Sequence, residues 1–230
     1  MPVLTRIPEG WFWMGSDDHK KWERPRHRVW VAAFEIARTT VTRREYEHFV
    51  RETDHPLPRG WDDENLSLPQ QPVVGVSWFD ATDYCKWLSE LLGQSYRLPT
   101  EAEWEKACRG NEEDGLYSWG NSPPGEFKYF QGDWVGPRSV GEWRPNSFGL
   151  WNIGDNVHEW CQDWYSADYY TVSVTRNPAG PAKGTRRVSR GGSWRHQIRA
   201  SRITQRSSIP PRYRYTDYGF RLVRSADSFA

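Results

Sequence analysis

Between Gly110 and Arg187 the chain shows no sustained hydrophobic period of either helix or strand; Gly, Pro, Asn, Asp and Trp dominate it instead. A backbone of this kind has few ladders in which to pair its polar groups. It must run as turns whose N–H and C=O groups are met locally or by side chains. Holding such loops in place requires large apolar groups rather than long aliphatic runs, and the sequence supplies fifteen Trp, eleven Tyr and nine Phe. Rings carry most of the apolar volume, and their polar tips find partners among irregular backbone. With no repeat and no low-complexity linker, the 230 residues are expected to form one domain, 1–230.

Three helices are signalled by their caps. Thr42-Arg43-Arg44-Glu45 reads as a capping box, and Tyr46, Phe49 and Val50 supply the apolar face. Ser77-Trp78-Phe79-Asp80 opens a second helix; Ala81, Tyr84, Cys85, Leu88, Leu91 and Leu92 recur at helical spacing, and Gly93 is the stop. Thr100-Glu101-Ala102-Glu103 opens the third, which buries Trp104, Ala107 and Cys108 before Gly110. Strand-like stretches are Trp11 to Met14, Arg28 to Ile36, Arg187 to Arg190 and Tyr218 to Val223.

No segment reaches the roughly 18 apolar residues of a membrane-spanning helix, and no leader pattern opens the chain, so no membrane role and a cytoplasmic location are expected. Cys85, Cys108 and Cys161 are few, odd in number and widely spaced, which suits buried thiols in a reducing compartment. The net charge of +1 hides an asymmetry: from Lys183 to Arg224 twelve Lys or Arg face one acid, Asp217.

Several segments, in order along nearly the whole chain, resemble the formylglycine-generating enzyme family, also called the sulfatase-modifying factor family. They are Ile7-Pro8-Glu9-Gly10 with Met14-Gly15-Ser16, Pro72-Val73-Val74-Gly75-Val76-Ser77-Trp78, Arg97-Leu98-Pro99-Thr100-Glu101-Ala102-Glu103-Trp104-Glu105, Asn146-Ser147-Phe148-Gly149-Leu150-Trp151, Asn156-Val157-His158-Glu159-Trp160, Arg190-Gly191-Gly192-Ser193-Trp194 and Tyr218-Gly219-Phe220-Arg221. The resemblance implies an α+β, loop-rich C-type-lectin-like fold with short helices packed on small twisted antiparallel sheets. It does not fix a function, because related proteins include copper-dependent oxidases, iron-dependent sulfoxide synthases, inactive paralogues and retroelement display proteins.

In the oxidases two cysteines that hold Cu(I) follow the Gly-Gly-Ser-aromatic motif. Here Arg195-His196-Gln197-Ile198-Arg199-Ala200-Ser201-Arg202 stands in that place, so no copper is expected at a thiol site. The family's calcium loop is matched by Asn152 to Glu159. By position its ligands would be the Asn152 and Glu159 side chains with the carbonyls of Asp155 and Val157, with Asp155 standing where the family has Gly. The basic C-terminal region lines the family's substrate groove. Trp194, Arg195, His196, Arg199, Arg202, Arg206, Tyr213 and Tyr215 are therefore the expected ligand-binding set, for a peptide or small anion. The competing reading makes several of these arginines struts paired with buried acids. No nucleic-acid motif accompanies the charge, and the sequence leaves the oligomeric state open. The expectation is a ligand- or peptide-binding module. The alternatives are a metal-dependent oxidoreductase using His196 and His158 as ligands or acid–base groups, and a variable display protein.

Overall fold

The computed structural model describes residues 1–122, 135–196 and 198–225. All three expected helices are present: α1 (Arg43–Thr53), α2 (Trp78–Leu92) and α3 (Glu101–Arg109). Each opens with a reciprocal capping box, from Thr42 to Glu45, Ser77 to Asp80 and Thr100 to Glu103. In each, two orphan N–H groups are met by the pair of side chains the sequence placed there. Gly93 ends α2 in the left-handed conformation at φ 65°.

The strands are β1 (Leu4–Ile7), β2 (Gly10–Met14), β3 (His27–Val31), β4 (Phe34–Ala37), β5 (Tyr96–Arg97), β6 (His158–Trp164), β7 (Arg187–Arg190), β8 (Arg206–Ile209), β9 (Tyr218–Gly219) and β10 (Val223–Ser225). They form a sheet in the order β1-β4-β10-β5, a hairpin of β2 and β3, and a sheet in the order β8-β7-β6-β9. Two expected strands are each divided. Arg28 to Ile36 breaks between Val31 and Phe34 and serves two sheets, and Tyr218 to Val223 likewise becomes β9 and β10. Among the described strands, pairing is antiparallel except that β9 runs parallel to β6, with His158 opposite Tyr218.

Aromatic rings and arginines fill the space between these layers. One core joins Phe12, Phe34, Trp104 and Tyr170; another joins Tyr46, Phe49, Tyr84, Trp160 and Phe220. The Arg187 guanidinium sits between Trp78 and Trp164, 3.8 and 3.5 Å from their ring centres, and so ties α2 to β6. Ion pairs occupy the deepest positions. Arg190 bridges Glu101 and Glu105 of α3 at 2.8 and 2.6 Å, and Arg221 grips Glu159 at 2.6 Å, with all of these side chains almost wholly enclosed.

Candidate functional site

The site is built where β6, β9 and the Gly191-Gly192 turn converge. Gly191 has φ +78° and lies against the backbone of Gly154; Gly192 donates its N–H to the Gly154 carbonyl at 2.9 Å. A Cβ on Gly192 would stand 2.4 Å from Ser201 Oγ. These glycines admit close backbone approach, which draws the following segment, with Ser193 and His196, over the end of β6. On the other side the parallel register sets Asp217 beside His158, whose N–H donates to the Asp217 carbonyl at 2.9 Å.

Four polar side chains meet there. His158 Nε2 and His196 Nδ1 are 3.0 Å apart, Ser193 Oγ lies 3.1 Å from His196 Nδ1, and the same hydroxyl donates to Asp217 Oδ2 at 2.8 Å. The proton assignment follows from counting. Ser193 has one proton and gives it to the carboxylate, so its oxygen accepts from His196 Nδ1–H. That N–H also faces His158 Nε2, which therefore offers its lone pair, leaving the His158 proton on Nδ1 near the Gly191 backbone. Burial pushes the His158 imidazole down to about 4; Asp217 opposes that shift, the adjacent His196 adds to it, and the Gly191 backbone opposes it. His158 is thus neutral around pH 7.

Through His158 and His196 this cluster borders a cleft of about 900 Å³. His158 and Tyr218, both buried, line it, and their rings are 4.7 Å apart. Lys20 and Arg199, both exposed, bring positive charge to it, and Arg202 lines it as well. Arg202 is also held by Glu23, through bonds of 2.9 and 2.8 Å. His19, which also lines the cleft, is shifted below the ordinary imidazole value by partial burial and by the neighbouring Arg202.

Of the expected ligand-binding residues, the structure brings His196, Arg199 and Arg202 into this cleft and leaves the others out. Arg206 is a correction. It is 3% exposed, forks onto Glu101 at 2.7 and 2.9 Å and stacks on Tyr170, so it is a strut of the core. Trp194 packs on Leu66, Val74 and Val157, with Arg195 over its ring, outside the cleft wall. Tyr213 and Tyr215 are exposed and pack against one another; Tyr215 reaches the ring of Tyr218, which does line the cleft. Asp217, Tyr218 and Lys20 were not singled out from the sequence as site residues. The sequence signal for Asp217 was its isolation as the one acid of the basic quarter.

At the calcium loop, Asn152, Asp155 and Val157 are buried on one turn, where Val157 N–H donates to the Asp155 carbonyl at 2.8 Å. Glu159 departs from its expected part as a ligand. Both of its carboxylate oxygens accept from Arg221, at 2.6 and 2.8 Å, and one also accepts from the Trp104 indole at 2.8 Å. A guanidinium already neutralises that carboxylate, so a cation there would meet like charge. The three thiols are unpaired and buried, and burial pushes each of them up, which keeps them protonated and poor as metal ligands.

The profile of the sulfatase-modifying factor enzyme 1-like domain matches residues 1–226. The chain belongs to the sulfatase-modifying factor family. Among other members, it is 33% identical to the formylglycine-generating enzyme of Streptomyces coelicolor, over 97% of this chain and 89% of that one. In structure it is similar to PvdO from Pseudomonas aeruginosa, with a TM-score of 0.87, 27% identity and coverage of 98% and 95% of the two chains. It is also similar to Treponema denticola variable protein 1, with a TM-score of 0.83, 26% identity and coverage of 97% and 95%. These likenesses give this sulfatase-modifying factor family member the C-type-lectin-like α+β fold.

Proposed function

We propose that this family member is a binding module that takes a small anion or an acidic peptide into the cleft beside Lys20 and Arg199. The observation that carries the reading is the cleft itself: about 900 Å³, lined by the exposed Lys20 and Arg199 and by the buried His158 and Tyr218. Forked guanidinium donors suit carboxylate, phosphate or sulfate, and a concave wall with a few placed polar groups is how proteins bind small ligands. A calcium ion at the Asn152–Val157 turn is part of the same proposal, held by Asn152, the Asp155 carboxylate and the Val157 carbonyl, with Glu159 reserved for Arg221. A reducing, cytoplasmic setting fits the three free thiols.

Calorimetric titration with citrate and with a hexaglutamate peptide tests the reading. At least one of the two is expected to bind saturably. Lys20→Ala and Arg199→Ala should each weaken it by roughly tenfold, as loss of a charge-assisted contact does. Added salt should weaken it further. Absence of binding by both probes, or unchanged affinity in both variants, overturns it.

The likeness to Treponema denticola variable protein 1 favours a second reading, in which the same scaffold displays a variable surface. A near-copy of the segment coding for residues 190–225, beside a reverse transcriptase gene, is the observation that would favour it.

A further inference from the structure

The cleft borders a donor set that anion binding leaves unexplained. His158, His196 and Asp217 each offer one ligand atom, and these three atoms lie within 4.8 Å of one another. We infer that these residues form a two-histidine, one-carboxylate site for a divalent first-row transition-metal ion, open toward the cleft. This goes beyond the ligand reading and does not depend on it.

The geometry carries the inference. Two imidazole nitrogens bound to one ion at about 2.1 Å and at right angles are about 3.0 Å apart. His158 Nε2 and His196 Nδ1 are already separated by 3.0 Å. The Asp217 carboxylate stands beside them, anchored through Ser193. Binding requires that the His196 proton move from Nδ1 to the other ring nitrogen, since His158 Nε2 already presents its lone pair, and that the three donors, now within 4.8 Å of one another, draw in around the ion. The supports are rigid. His158 begins β6, Asp217 directly precedes β9, and Gly191-Gly192 fixes the turn that carries His196. Mixed nitrogen and oxygen donors suit Fe(II), Mn(II), Co(II) or Zn(II) better than the hard calcium ion or soft Cu(I). Three protein donors leave further coordination positions for water or for a ligand entering past Lys20 and Arg199, as in catalytic rather than structural sites. Ser193 acts as a positioning residue, since its hydroxyl orients the Asp217 carboxylate.

Calorimetric titration of Co(II) into chelator-treated full-length chain, followed in parallel by the visible ligand-field spectrum, tests the site. Wild type is expected to bind about one ion, with a spectrum of nitrogen and oxygen ligation. His196→Ala and Asp217→Asn should each weaken that binding about 100-fold or more, and Ser193→Ala by roughly 10–100-fold with an altered spectrum. His196 is exposed, so its removal leaves the fold intact, and an unchanged melting temperature verifies this. Wild-type cobalt affinity in His196→Ala, or a wild type that binds no cobalt, overturns the inference. Arg199→Ala separates the two proposals, because it should weaken anion binding about tenfold and leave cobalt affinity unchanged. Cobalt binding without citrate or peptide binding leaves the metal site standing and removes the ligand reading; the reverse result removes the metal site.

Discussion

At the level of single residues, the arginines of the basic quarter divide by what lies beneath them. Arg199 reaches the cleft, whereas Arg206 is enclosed between Glu101, Tyr165 and Tyr170. Against burial, which favours the neutral acid, Arg206 and Arg190 hold Glu101 below the usual carboxylate range. Removing one member of such a buried pair leaves an uncompensated charge and costs about 3–5 kcal/mol. Arg206→Ala should therefore lower the melting temperature steeply, while Arg199→Ala, at an exposed position, should lower it much less. Thermal denaturation of the two variants checks this, and equal melting temperatures would dissolve the distinction. Sequence spacing alone did not separate the two arginines. Both sit among small or apolar neighbours, and burial of Arg206 is decided by acids on α3, far away in the chain. Asp217 was missed for a related reason, since it reaches His158 only through the parallel β6–β9 pairing.

Elements were legible to the extent that their signals are local. Capping boxes are complete within four residues, so all three helix starts could be read directly. β6 could not, because HEWCQDW has no alternation: most of its residues are buried on both faces, and the period-two pattern that marks a half-exposed strand is absent. The break between β3 and β4 falls at Ala32-Ala33, where no Gly or Pro announces it. One contact between elements has a pH signature. Asp163 of β6 accepts the Glu101 N–H at 2.9 Å at the start of α3; burial, reinforced by the Glu101 carboxylate, pushes Asp163 up to about 8. Folded Asp163 keeps its proton to about pH 8, whereas an unfolded aspartate loses it near 4. Asp163 therefore stabilises the fold fully below about pH 4, and that contribution declines as pH rises to about 8, above which its pH dependence ends. Asp163→Asn keeps an acceptor for the Glu101 N–H and cannot ionise, so its stability should fall less than that of wild type between pH 5 and 8. Parallel denaturation curves across that range would show that Asp163 is not the source.

For the molecule as a whole, the resemblance read from ordered motifs gave the α+β fold that the structure shows, with the parallel β6–β9 pair as the exception among the described strands to antiparallel pairing. The motifs are spread over almost the entire chain, so they report its overall path well, but they leave open which ligand the shared scaffold serves. If the Asn152–Val157 turn holds calcium, the ion staples the loop that Gly192 and Trp194 bind through the carbonyls of Gly154 and Asn156. At a calcium concentration about 100-fold above its dissociation constant this contributes about 2.7 kcal/mol to the folded state, equivalent to roughly 5–10 °C in melting temperature for a chain of this size. Chelation with EGTA should remove that increment in wild type and change nothing in Asp155→Ala. Identical melting curves for wild type with and without calcium would exclude the staple.

The sheet β1-β4-β10-β5 contains both the first strand of the chain and the last, with β10 hydrogen-bonded to β4 on one side and β5 on the other. On a ribosome, which delivers residues in order, β5 therefore has no neighbour in that sheet until Val223–Ser225 have emerged, after nearly every other residue described. The same arrangement brings β1 and β10 to either side of β4, two strand spacings apart, or about 10 Å.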